Sequence, residues 1–282
     1  MKAKVNGTEL FYITCGEGSP IMFMHGGLGA DHTYFRKMFD PLSDQYQLIY
    51  YDHRGNGRSR PAELTDMTHA DWATDADALR QHLGHEKIIL IGHSYGGFLA
   101  QEYALRYADH LQGVVFMCTA PALDYPEVMS SNADAKATSP ESVAAVEQAF
   151  SDDLIESDDE FAELMGKLEP LYLHNYEAHQ TIMKEVMKDM QFSAAAWNHV
   201  NANCIPEFNV ESQLSSISVP TLIISGRHDW VTPVSEGGQR IANAIPKAEL
   251  LVFENSGHYP FVEENELFFS KLTDWLKKTW QT

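Results

Sequence analysis

Ile88-Ile89-Leu90-Ile91-Gly92-His93-Ser94-Tyr95-Gly96-Gly97-Phe98-Leu99-Ala100 reads as an apolar strand, a tight turn carrying one serine, and the start of a helix. The run from Ile88 to Ile91 has no polar alternation, which suits a strand buried on both faces of a parallel sheet. Gly92 to Gly96 fits G-x-S-x-G, in which a serine on a strained strand-to-helix turn projects its Oγ from the top of a sheet. A glycine two residues to either side lets the backbone pass close to itself and to a substrate. The helix N-terminus behind the serine places a positive dipole end where negative charge would develop. Ser94 is therefore the candidate nucleophile.

Outward from this stretch, strands and helices alternate. Val5 to Cys15 reads as a hairpin turning at Asn6-Gly7. Ile21 to Met24 is a buried strand ending in His25-Gly26-Gly27-Leu28-Gly29. That loop lacks the Gly-Lys-Ser/Thr of a P-loop, and neither it nor Gly55-Asn56-Gly57-Arg58-Ser59 completes G-x-G-x-x-G. Gly27 can instead lay a backbone N–H beside Ser94, as second donor of an oxyanion hole whose first donor is the Tyr95 N–H. A plain tight turn is the alternative. Tyr46 to Tyr51 gives another strand, followed by Asp52 to Ser59, a turn expected to support the site's floor. Gly26 and His53 are candidates to touch substrate. Thr68 to Gly84 has Trp72, Ala76, Leu79 and Leu83 spaced for one helical face. Gln112 to Cys118 is one more buried strand, and the alternation predicts a parallel, doubly wound sheet.

The rhythm changes near Ala122. Up to Ser215 no strong strand run appears, while helix-forming stretches recur at Ser142–Phe150, Asp158–Leu168 and Glu177–Met190. Acidic residues outnumber lysines here by more than four to one, with no arginine. Asp152-Asp153 and Asp158-Asp159-Glu160 read as solvated linkers and helix starts. The expected organisation is a core over 1–121, a helical lid over 122–215 and a resumed core over 216–282. Of the lid's Met165, Leu171, Tyr172, Met183, Met187, Phe192 and Trp197, about a third are expected to face substrate and the rest to pack. The sheet resumes at Val219 to Ser225 and leads to Asp229, at a strand's C-terminal end where open α/β sheets keep functional residues. Glu249 to Phe253 leads to His258, and Phe261 to Trp280 closes the chain as an amphipathic helix.

A formal charge of −20 over 282 residues disfavours nucleic acid and anionic membrane surfaces as partners. Three scattered cysteines make no disulfide framework. With no apolar leader at Met1–Leu10 and no span of transmembrane length, the expected location is a reduced cytoplasm. No metal or cofactor is expected. His174 and His179 are off a common helical face, and no H-E-x-x-H occurs.

Ser94, Asp229 and His258 thus stand in the order serine, acid, histidine, each just after a strand, as in an α/β-hydrolase triad. The chain resembles that fold: a mostly parallel central sheet with helices on both faces and a helical lid inserted before the acid-bearing strand. Within it the chain is most similar to the prolyl aminopeptidase (proline iminopeptidase) family. His25 to Gly29 is similar to that family's HGGPG, with leucine for proline, and Tyr51 to Ser59 to its YDQRGxGxS, with histidine for glutamine. Ser225–Pro233 and Phe253–Glu264 resemble its acid and histidine segments. The likeness covers residues 5–120 and 206–280 and leaves the lid unmatched. It implies release of N-terminal residues from small peptides, with lid-region glutamates holding the free amine. Ile205-Pro206-Glu207-Phe208 is similar to the stretch carrying one of them, so Glu207 is the residue carried over, with Glu177 as a possible partner. A surface glutamate is the alternative for Glu207. Ester or lactone hydrolysis and carbon–carbon bond hydrolysis use the same parts, and a non-catalytic small-molecule receptor is the different-class alternative. Haloalkane dehalogenases and epoxide hydrolases of this fold use an aspartate nucleophile, which Ser94 counts against.

Overall fold

A computed structural model describes residues 1–27, 29–60, 62–63, 65, 67–151 and 153–281. Leu28, the departure from the family's loop, and Asp152 of the acidic linker lie outside the described residues. Strands β1 (Lys2–Val5) and β2 (Thr8–Cys15) form the expected hairpin, with Val5 paired to Thr8. Asn6 and Gly7 take φ of 44° and 74°, as a two-residue turn matched to strand twist requires. Then β3 (Ser19–Met24), α1 (Thr33–Phe39), β4 (Tyr46–Tyr51), α2 (His69–His82), β5 (Ile88–His93), α3 (Tyr95–Arg106) and β6 (Leu111–Met117) alternate. The Thr68 hydroxyl caps α2 by accepting from Asp71 N–H.

Five helices follow: α4 (Pro126–Lys136), α5 (Pro140–Ala149), α6 (Asp158–Tyr172), α7 (Tyr176–Met187) and α8 (Ala194–Asn203). Helices α5, α6 and α7 match the predicted stretches to within a few residues. Helices α4 and α8 were not predicted, because α4 has few apolar residues and those of α8 are mostly alanines, so neither shows a strong face. The core resumes with β7 (Thr221–Gly226), α9 (Gly238–Ala244), β8 (Glu249–Phe253), α10 (Pro260–Glu263) and α11 (Asn265–Trp280). The closing helix is thus two helices, broken at Glu264. None of the described helices is long and apolar enough to cross a membrane.

The strands form one sheet ordered β1-β2-β4-β3-β5-β6-β7-β8. The β1–β2 and β2–β4 pairs are antiparallel and the other five are parallel. Alternation along β5 sends Ile88 and Leu90 into the core beneath α2 and α3, and Ile89 and Ile91 into the core beneath α1 and α11. Each such side chain contributes about 1.5–3 kcal/mol on full burial, so β5 is anchored from both faces. A third apolar cluster lies within the insertion, built on Phe161, Leu164, Leu168 and Leu171 with Trp230 of the resumed core.

Chain order and spatial order diverge at β3. Its next strand, β4, lies to one side and β5 to the other. Loops leaving β3 and β5 at their C-terminal ends therefore part around a crevice, the usual ligand position in open α/β sheets. The two loops are the one that begins His25-Gly26-Gly27 and the Ser94 turn.

Candidate active site

Ser94 takes φ 55° and ψ −124°, outside the ordinary regions for a residue with a side chain. The glycines around it follow from that turn. A Cβ on Gly92 would collide with Gly96 O and Ala100, and one on Gly96 with the carbonyl oxygens of Met24 and His25. The motif's small residues thus let α3 fold back tightly onto β5 and β3. Ser94 N–H donates to Met117 O at 2.9 Å, which ties the turn to β6.

Asp229 and His258 converge on this turn from the loops after β7 and β8. His258 Nδ1 donates to Asp229 Oδ2 at 2.7 Å, and both side chains are almost fully buried. Asp229 also accepts from Thr232 Oγ1 (2.7 Å), Val231 N–H (2.9 Å) and Thr232 N–H (3.1 Å). Burial opposes ionisation of this carboxyl. The charge and hydrogen bond of His258, with those of Thr232, prevail and hold it below the usual carboxylate range. The Nδ1–H of His258 is thereby committed, and Nε2 is left as the proton acceptor.

Ser94 and His258 line one cavity of about 320 Å³ together with Gly27 and Tyr95. Gly26 N–H is spent on Tyr34 Oη at 2.7 Å, whereas the N–H groups of Gly27 and Tyr95 find no acceptor among the described residues. Two free donors therefore sit on the loops flanking Ser94, as an oxyanion site needs.

Three expected substrate contacts lie elsewhere. Gly26 packs behind Ser94, where a Cβ would press on the serine's own Cβ and on His93 O, and it is not part of the cavity wall. His53 is buried under the site. Its N–H donates to His25 Nε2 and its Nε2 meets His25 O, both at 3.1 Å, with the rings 4.0 Å apart. Burial pushes its pKa well down, and it supports the loop after β3 rather than a ligand. Glu207 is exposed on a short turn (Ile205–Glu207) whose Ile205, not its glutamate, reaches the cavity. Glu177 is likewise exposed at the start of α7. Turn direction decides these cases, and spacing along the chain does not carry it.

The cavity wall is instead aromatic and sulfur-rich: Phe161, Met165, Met187, Phe192 and Trp197 come from the insertion, and Trp230 from the core. Of the seven apolar residues singled out between 122 and 215, five line it, more than the expected third; Leu171 and Met183 are core. No Asp, Glu, Lys or Arg stands among the described lining residues.

Other residues around the site were not predicted. His93 bridges Tyr34 and the His258 backbone, and Glu263 bridges the insertion to the His258 loop. Glu263 Oε1 accepts from the N–H groups of His174 (2.8 Å) and Asn175 (2.9 Å), and its Oε2 from Gly257 N–H (2.6 Å). His258 N–H donates to Tyr172 O at 2.7 Å, beside that bridge. His93 lies inside the quoted motif, but its partners are 59 and 165 residues away.

Two buried groups have metal-like spacing, His93-Cys118-His258 and Asp31-His32-Asp52, each with one ligand atom per residue inside 4.8 Å. Hydrogen bonds within the protein already engage several of these atoms. Both ring nitrogens of His93 are engaged. Asp31 holds Arg58 Nη1 at 2.7 Å, and Asp52 holds His32 Nδ1 at 2.5 Å.

The sequence profile of the α/β hydrolase fold matches residues 19–265. The chain is 31% identical to a proline iminopeptidase of Pestalotiopsis fici over 286 residues, covering 98% of each. It is 30% identical to a proline iminopeptidase of Lactobacillus acidophilus, covering 96% of this chain and 95% of that one. A solved thermophilic esterase from Thermogutta terrifontis superposes with a TM-score of 0.77 at 25% identity, covering 99% of both chains. The chain belongs to the α/β hydrolase fold family, as a hydrolase close to the proline iminopeptidases.

Proposed function

We propose that this is a serine hydrolase that works through Ser94, His258 and Asp229 and an acyl-enzyme. The Asp229–His258 pair at 2.7 Å, next to a serine on a strained elbow, carries this reading. His258 Nε2 takes the Ser94 proton as Oγ attacks the carbonyl, then returns it to the leaving amine or alcohol. Asp229 keeps the imidazole in the required tautomer and stabilises the imidazolium. The N–H groups of Gly27 and Tyr95 hold the oxyanion, where loss of one donor costs about 3 kcal/mol of barrier. Water then repeats the sequence on the ester. The helices over residues 122–215 form a lid whose apolar wall excludes bulk water from this step.

The substrate is a short peptide whose N-terminal residue is released, by analogy with the proline iminopeptidases above. One observation favours ester or lactone hydrolysis as a second reading: the described wall carries no carboxylate to meet a free ammonium. Paired assays of prolyl-p-nitroanilide and p-nitrophenyl butyrate separate the two. Ser94→Ala is expected to lose both turnover and covalent labelling by a fluorophosphonate while its melting curve stays close to wild type. Labelling that survives in this variant would sink the nucleophile assignment. Ester turnover without anilide turnover in the wild type would select the second reading.

A further inference from the structure

One buried chain of hydrogen bonds joins the three segments that the proposed reaction needs in register. Gly26 N–H donates to Tyr34 Oη at 2.7 Å. Tyr34 Oη lies 2.9 Å from His93 Nδ1, and His93 Nε2 lies 2.9 Å from the backbone oxygen of His258. The position of every proton follows by exclusion. A carbonyl oxygen only accepts, so His93 Nε2 carries the hydrogen. His93 is buried, which pushes its pKa down to about 3 and keeps the ring neutral. Its Nδ1 is therefore bare, and the hydrogen between it and Tyr34 belongs to the phenol. The phenol oxygen in turn accepts from Gly26. The chain runs one way only, from the loop after β3, through α1 and the residue before Ser94, to the backbone of His258.

We propose that Tyr34 and His93 are positioning residues, which through this chain hold the Gly26-Gly27 donor loop, the Ser94 elbow and the His258 backbone in a single register. The proposal rests on the reading of Ser94, His258 and Gly27 given above. Packing alone does not account for the arrangement. The Tyr34 ring already packs against Phe35 at 4.4 Å between centroids and lies 6.5 Å from Phe261, contacts that a phenylalanine would keep. The hydroxyl does something those rings do not: it satisfies a buried N–H one residue before the proposed oxyanion donor. Without it, Gly26 N–H and His93 Nδ1 are both left unpaired, and the His25–Gly26 peptide, which precedes the one carrying the Gly27 N–H, keeps only the contact of its carbonyl oxygen with His53 Nε2 at 3.1 Å. Misplacing a reacting group slightly is enough to lower a rate by orders of magnitude.

The test is Tyr34→Phe, with kcat expressed per serine titrated by a fluorophosphonate, so that any misfolded fraction drops out. The expected result is a ~10–100-fold loss of kcat with KM held within about two-fold. Affinity for a trifluoromethyl ketone, which forms an oxyanion adduct, should fall in parallel with kcat. A purely structural role would lower the titratable fraction and the melting temperature and leave kcat per titrated site unchanged, which would overturn the proposal. If the phenylalanine variant does not accumulate, His93→Phe keeps a ring at that place but removes both the acceptor of Tyr34 and the donor toward His258 O. An unchanged kcat per site in that variant overturns it equally. Failure of the wild type to label at Ser94 is a separate outcome, which overturns the parent reading and this one with it.

Discussion

Ser94 is held in a conformation that costs a non-glycine residue about 1–3 kcal/mol, and its surroundings leave it no alternative. Its N–H is tied to Met117 O, and its carbonyl accepts from Gly97 N–H at 2.8 Å. The glycines beside it let three backbone segments meet at contact distance. Gly96→Ala tests this directly, because the new methyl would drive into the carbonyl oxygens of Met24 and His25, which belong to β3 and the donor loop. We expect destabilisation of about 1–3 kcal/mol, read as a lower denaturation midpoint in urea, together with a drop in activity per titrated serine. Unchanged stability would mean that β3 and α3 have slack between them that the structure does not record. The same crowding explains why Gly26 is absent from the cavity wall: its place is filled from behind by Ser94 and His93.

Between elements, the notable join is the one linking the helical insertion to the histidine loop. Helix α6 ends at Tyr172, whose carbonyl receives the N–H of His258, while Glu263 of α10 spans from His174 and Asn175 to Gly257. The Glu263 side chain is fully buried, and its two oxygens accept three backbone hydrogen bonds. A glutamine there keeps the shape but turns one acceptor into a donor that faces a backbone N–H. Hydrogen bonds to a charged group are worth about 1.5–3 kcal/mol. Glu263→Gln should therefore lower unfolding stability by roughly that amount and speed amide exchange at Gly257 and His174 above that of the sheet. Exchange rates equal to wild type at both amides would show that the bridge does not restrain the loop.

Over the whole molecule, the buried histidines set how the fold responds to acid. Burial lowers the pKa of His25 and His53, brings His69 to about 4 and His93 to about 3. In the unfolded chain each takes up a proton near pH 6.5. Their contribution to stability is therefore complete above that value and drains as pH falls toward 4 and below. Each contributes at most about 1.4 kcal/mol per pH unit inside that window. Asp52, brought to about 2 against the effect of burial by its hydrogen bond to His32, loses its share only below about pH 4. The melting temperature should fall steadily between pH 7 and pH 5, followed by calorimetry in a low-salt buffer series. An NMR titration of these ring protons over the same interval checks the cause separately from the net charge, and ring signals that titrate near pH 6.5 in the folded protein would overturn it. Relief of repulsion among the acidic groups works the other way, since the chain carries a formal charge of −20 at pH 7.

The sheet and the serine elbow were legible in the sequence, because each rests on local chemistry. A continuous apolar run calls for a strand covered on both faces, and a serine between glycines before a helix calls for one kind of turn. The places of Asp229 and His258 after strands were legible too, as was the α/β hydrolase fold. What stood around these residues was not. Glu207 and His53 were read toward the substrate because they sit in family-like motifs. Whether a side chain faces a cavity, solvent or another ring depends on how distant segments turn against each other. Tyr34 and Glu263 gave no signal for the same reason: each accepts from backbone N–H groups, which every residue but proline carries and no sequence pattern marks, and the other partner of Tyr34, His93, is 59 residues away. The local backbone at Ser94 was therefore determined by residue type, and the register of the loops around it and the apolar wall above it were settled by the tertiary structure, since both depend on contacts between segments far apart in the chain.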